Sequence, residues 1–192
     1  MKKLLYVIPL ILLTCSESTQ ELPTPKVGET YHGGIVFYIL QPGDPSYIEG
    51  ETHGFIVGED FEGEYSYGCN PIPWNSVPPL TSLKGKLSSR LGDGESNTKL
   101  IAGSCATESA ASIAIKDGWY LPNDEEVKKL IHNKLAVGIT SYDYYHWTSI
   151  IDFCYNYCDI GITVVNFSTG KRTTVENRHP SPKHKIKPIK RF

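Results

Sequence analysis

The sequence predicts an α+β fold: an antiparallel sheet with two main helices and long loops. Three observations carry this. Strand-like runs come first, two helical segments follow, and strands return, an order that places helices beside an antiparallel sheet. Twelve tyrosines, seventeen glycines and thirteen prolines suit short strands and many turns better than a helical bundle. The two helical segments carry recognisable end signals.

The elements follow in chain order. Ile35 to Leu40 is an unbroken β-branched and aromatic run, expected as a strand buried on both faces. Gln41-Pro42-Gly43-Asp44-Pro45 ends it with turn chemistry. His53 to Val57 reads as the next strand, and Glu59 to Pro79 as a long loop. A short helix is a candidate near Lys84 to Leu91, and Asn97-Thr98 can cap a helical turn through Ala102. Ala106 to Lys116 has strong helix formers with Ala110, Ile113 and Ala114 on one face; Gly118 sits where a terminating glycine is expected. Asn123 and Glu126 have the spacing of a reciprocal capping box, and Val127, Leu130 and Ile131 give the next helix an apolar stripe. Strands are then expected over Tyr144 to Ile150 and Ile162 to Phe167. Ser168-Thr169-Gly170 turns into Arg172 to Val175, and Lys185 to Ile189 closes the sheet. The pattern contains no internal repeat.

The amino-terminal segment points to export. Lys2 and Lys3 precede a mostly apolar run from Leu4 to Leu13, the length of a signal-peptide core and too short for a membrane-spanning helix. Leu12-Leu13-Thr14-Cys15 resembles a lipobox, with Thr14 where a smaller residue is usual. Residues 1–14 are thus expected to be a lipoprotein signal peptide, Cys15 the lipidation site, 15–26 a lipidated tether and 27–192 one domain. Two or three acyl chains anchor stably where one does not. Ser16 after the cysteine resembles an outer-membrane sorting signal; which side of that membrane the domain faces stays open. Cleavage removes two lysines and no acid, moving the net charge from −2 to −4. A mildly acidic chain argues against nucleic acid as partner. Cys69, Cys105, Cys154 and Cys158 form an even set suited to disulfides in an oxidising compartment, with three pairings open. The Cys154/Cys158 spacing lacks a second ligand pair, so zinc is not expected.

Four motifs in order resemble one family. They are Val27-Gly28-Glu29-Thr30-Tyr31-His32-Gly33-Gly34-Ile35-Val36-Phe37-Tyr38, then Trp119-Tyr120-Leu121-Pro122-Asn123-Asp124-Glu125-Glu126, then Tyr145-His146-Trp147-Thr148-Ser149, and last Ile186-Lys187-Pro188-Ile189-Lys190-Arg191-Phe192. Together they look like the Lcl-C-terminal-like, or major-paralogous-domain, family of bacterial surface lipoproteins. The resemblance implies a C-type-lectin-like fold whose first and last strands pair and whose long loops present a binding face. One member domain is associated with sulfated polysaccharides. His146 before Trp147, Pro188 within the closing strand, and Cys154 with Cys158 depart from the pattern.

Candidate sites follow from residue type. Trp119, Tyr120, Leu121, Pro122 and Trp147 are expected to be structural, packing a helix on the sheet. Lys171, Arg172, Lys183, Lys185, Lys187, Lys190 and Arg191 form a basic tail that could hold a polyanion or simply protect an edge strand. Glu59, Asp60, Glu62 and Glu64 are weak calcium candidates through their carboxylates; otherwise no metal or cofactor is expected. No nucleophile elbow, zinc-protease helix or phosphate loop is present, so no catalytic residue is named and no enzyme is expected. The expected function is a non-catalytic, adhesion-type module for a glycan or protein ligand. The alternative is a structural subunit of a surface assembly.

Overall fold

The computed structural model describes residues 24–68, 79–105, 108–152, 160–176 and 182–192. Cys15, the signal segment, Cys69, Cys154 and Cys158 lie outside the described residues. The fold is α+β, with three α-helices and three antiparallel sheets among the described residues.

The first sheet runs in the order β1 (Thr30–Tyr31), β2 (Gly34–Ile39), β3 (Gly54–Val57) and β9 (Ile189–Arg191). A two-residue hairpin joins β1 to β2, since Tyr31 pairs with Gly34. His32 and Gly33 both have positive φ, at 46° and 84°, the turn geometry that matches strand twist. The β2 run is less buried than expected. A register shift between Val36 and Tyr38 leaves Tyr38 and Ile39 only part-buried. All four residues of β3 are buried. The first and last strands share this sheet but do not pair. β9 pairs with β3 instead, because β3 lies between it and the opening hairpin.

β4 (Tyr65–Ser66) pairs with β8 (Lys183–His184) as a small second ribbon. β5 (His146–Asp152), β6 (Gly161–Val165) and β7 (Arg172–Glu176) form the third sheet. The expected closing strand is split. Lys183–His184 and Ile189–Arg191 belong to different sheets, with Pro188 between them; proline lacks the N–H that a continuous ladder requires. Main-chain bonds from this segment tie the sheets together. Trp147 N donates to Lys185 O at 2.9 Å, and Tyr120 and Ile189 exchange bonds at 2.9 and 3.0 Å.

Lys84 to Leu91 is not helical; a 3-10 turn at Pro79–Leu83 lies just before it. α1 (Gly94–Gly103) begins three residues before Asn97. Its start was hidden because Asp93 makes no side-chain cap bond. Asn97 serves another purpose, bonding Ser88 N and Ser88 O at 2.9 and 2.7 Å. α2 (Ala110–Lys116) is shorter than expected because Ser109 and Ser112 form its capping box. Gly118 follows it at φ 74°, as a terminating glycine should. α3 (Asp124–His132) has the expected capping box from Asn123 and Glu126.

Two apolar clusters make the core. One gathers Trp147, Tyr67, Leu80, Ile101, Leu121 and Ile162 between the first two helices and the third sheet. The other gathers Phe37, Phe55, Tyr120, Leu130, Phe167 and Ile189 between α3 and the first sheet. Tyr120 and Leu121, adjacent in sequence, belong to one cluster each.

Candidate functional site

Two adjoining clefts, of about 410 and 420 Å³, open beside the first sheet. Both are lined by Gly33, Gly58 and Glu59. Asp60, Phe61, Glu62, Trp119 and Pro188 complete the first; Val137 and Lys187 are among the walls of the second. The floor is made of glycine for a steric reason. A Cβ on Gly34 would meet Trp119 at 3.0 Å, and one on Gly58 would meet it at 3.2 Å. The indole edge therefore rests on bare backbone. Trp119 is half-buried, with the Lys190 ammonium 5.9 Å from its ring centroid, near the outer limit of a cation–π contact.

Beneath the clefts lies a charged cluster built from distant segments. His146 Nε2 is 3.2 Å from both oxygens of Asp60. Lys187 Nζ is 3.1 Å from Asp60 Oδ1, and Tyr144 OH donates to Asp60 Oδ2 at 3.0 Å. His146 is 0% exposed and Lys187 7%. Burial alone would raise the Asp60 carboxyl; the His146 bond and charge, with the Lys187 ammonium, reverse this and hold it at about 2. Burial and the neighbouring Asp60 charge push the Tyr144 hydroxyl up to about 12. Tyr142 stacks on Tyr144 at 5.0 Å, and Lys187 and Lys185 lie over these two rings at 5.6 and 5.1 Å. The cluster is a lock between the β3–β4 loop, β5 and the carboxy-terminal segment. Its histidine is fully buried.

No protein-family model, curated protein or solved structure matches this chain.

The acidic set is divided by this arrangement. Asp60 turns inward, while Glu59, Glu62 and Glu64 are exposed. Among the described residues, no group of three or more histidine, cysteine, aspartate or glutamate side chains converges as a metal site. Glu59 and Glu62 have no ion-pair partner among the described residues, and both line the Trp119 cleft.

The basic set is dispersed as well. Lys187 is buried on Asp60, which removes it from any surface patch. Arg172 pairs with Asp124, while Lys171 is exposed beside it in sequence. Lys183 is exposed on the β4–β8 ribbon, Lys185 lies over Tyr144, and Lys190 and Arg191 belong to β9. These residues occupy three different sheets or their margins. Of the residues expected to be structural, Tyr120, Leu121, Pro122 and Trp147 are buried as expected, and the Trp147 indole donates to Tyr65 O at 2.6 Å. Trp119 is the exception that faces a cleft. Cys105 lies at the end of α1, part-buried against the first apolar cluster.

His146 was not singled out by sequence reasoning beyond its place in a motif. Its partner is 86 residues away, and no local pattern marks the pair.

Proposed function

We propose that this protein is an exported, lipid-anchored envelope module that binds a glycan chain in the Trp119 cleft without performing chemistry on it. The observation that carries this reading is a half-exposed indole on a glycine floor, rimmed by Glu59 and Glu62. The electron-rich face of an indole suits the C–H face of a sugar ring. The carboxylates beside it, which have no ion-pair partner among the described residues, accept hydrogen bonds from sugar hydroxyls. Clefts of this size, with an apolar wall and a few polar groups, are the usual form of small-ligand sites.

The anchor is supported by the amino-terminal run ending at Cys15, and Ser16 after it supports the outer membrane as the location. Disulfides among Cys69, Cys105, Cys154 and Cys158 belong to the same reading, since that compartment is oxidising. A C-type-lectin-like architecture and membership of the Lcl-C-terminal-like family are part of the proposal. Their support is the order of the four motifs and a first sheet that holds both the opening and the closing strands.

Glycan arrays probed with the mature chain and with Trp119→Ala test the site. Binding that falls at least about tenfold in the variant is expected, the loss of one stacking contact. Clean failure of the unaltered chain on glycan arrays removes the reading.

The second reading, a structural subunit of a surface assembly, draws on β7. It is an edge strand of its sheet among the described residues, and four of its five residues are exposed. An exposed edge can accept a strand from another chain. Crosslinking in the native envelope separates the two, since an assembly subunit yields stoichiometric neighbours.

A further inference from the structure

Leu135 is the most exposed of the large apolar side chains among the described residues, at 74%. It sits at the tip of the turn after α3, next to the exposed Ala136. The start of the domain lies against this same turn. Gly28, at φ 92°, comes so close to Ala136 that a Cβ would meet its carbonyl oxygen at 3.1 Å. Val27, beside it, is 39% exposed. Two more segments complete this end of the molecule. Lys134 donates to the carbonyl of Ser168, and Gly170 abuts Ile131. Lys26 and Lys171 are exposed on the same margin, with Glu29, which accepts from the Lys26 main-chain N–H, as the neighbouring acid.

We propose that this end is a membrane-contact face, in which Leu135 and Val27 enter the headgroup region of a lipid surface and Lys26 and Lys171 engage lipid phosphates. It rests on the lipid-anchor reading for its geometry. A chain from Cys15 to Val27 spans at most about 40 Å when extended, so an anchored Cys15 holds Val27 within that distance of the bilayer. An apolar tip ringed by lysines is the composition that interfacial segments use. Lysines near an anionic leaflet add attraction that salt weakens. A lone exposed leucine is ordinary on a protein surface; its position at the root of the tether is what selects a lipid occupant. The arrangement would also fix the domain's orientation, holding the anchor end down.

Vesicle sedimentation tests this with the mature chain carrying Cys15→Ser, which has no acyl group. Vesicles of phosphatidylcholine are compared with vesicles that also contain phosphatidylglycerol. The expected result is salt-sensitive retention on the anionic vesicles. Leu135→Asp should weaken it about tenfold, and Lys26→Glu with Lys171→Glu should remove its salt sensitivity. Leu135→Trp supplies a second readout, a blue shift of emission on anionic vesicles. Absence of retention, or retention equal in all variants with no blue shift, overturns the proposal. Mass spectrometry of the native amino terminus judges the anchor separately. An acylated Cys15 together with a Cys15→Ser chain that ignores vesicles would overturn the contact face alone. An unmodified Cys15 would remove the anchor reading and with it the reason for choosing a lipid occupant.

Discussion

At the scale of single residues, Asp60 is the position on which most depends. It accepts from Tyr144 and faces His146 and the Lys187 ammonium in a largely buried site. Removing one partner of a buried charged set is far more damaging than exchanging the whole set, because the remaining charge stays desolvated. Asp60→Asn should therefore cost about 3 kcal/mol, measured by urea unfolding at neutral pH. The same group sets an acid limit. Its folded value of about 2 lies below its ordinary 3.8. Its contribution is thus complete above the ordinary value and disappears as pH falls toward about 2. Acid unfolding of the parent chain should steepen in that window, and Asp60→Asn should be flatter there. Leucine or isoleucine at Lys187 would leave Asp60 with His146 and the Tyr144 hydroxyl but without its ammonium partner.

At the scale of elements, Glu126 joins two helix starts. Its carboxylate accepts from Asn123 N at 2.8 Å and from Tyr120 OH at 3.2 Å, and main-chain bonds from Gly92 and Gly94 reach it at the start of α1. Gly94 must be glycine, because a Cβ there would sit 2.1 Å from Glu126 Oε2. Burial dominates these bonds and raises the carboxyl to about 7 from an ordinary 4.5. The sign is opposite to that of Asp60. The stabilisation is complete below the ordinary value and is lost as pH rises through about 7, an effect of about 3 kcal/mol. Stability should fall between these limits in the parent chain, and Glu126→Gln should abolish that slope in denaturation series across pH. The capping box itself was readable from Asn123 and Glu126, because capping is a local matter of three residues. So were the Ser168-Thr169-Gly170 turn and the glycine after α2. The start of α1 was not, since no side chain caps it and Asn97, the residue that resembled a cap, is spent on Ser88. The charge cluster was unreadable for a stronger reason. Asp60, His146 and Lys187 come from segments far apart in the chain, and Lys187 in sequence looks like any member of a basic tail. Trp119 was placed in the core by its motif, but the glycines that hold it at a cleft edge come from β2 and the end of β3.

At the scale of the whole molecule, the carboxy-terminal ten residues act as a stitch. Lys183 and His184 pair with β4, Lys185 bonds to β5, and Ile189 pairs with both Val57 and Tyr120. These contacts join the second ribbon, the third sheet and the first sheet through one short segment. Ile189 is 0% exposed within the apolar cluster beneath the first sheet. Trp147 belongs to the other cluster, where its indole N–H is bonded to Tyr65. The two clusters also share the Tyr120-Leu121 step, so loss of packing in one should be felt in the other. Ile189→Ala is expected to cost about 2–5 kcal/mol, as deletion of buried methyl groups does. In a single cooperative unit, that loss appears undiminished at a distant reporter. Hydrogen exchange of the Trp147 indole N–H, followed by NMR, should accelerate by the factor that the urea-derived stability loss requires. An exchange rate unchanged by Ile189→Ala, while far-UV circular dichroism records the destabilisation, would mean that the two clusters unfold separately and that the carboxy-terminal segment is a clasp on the first sheet alone.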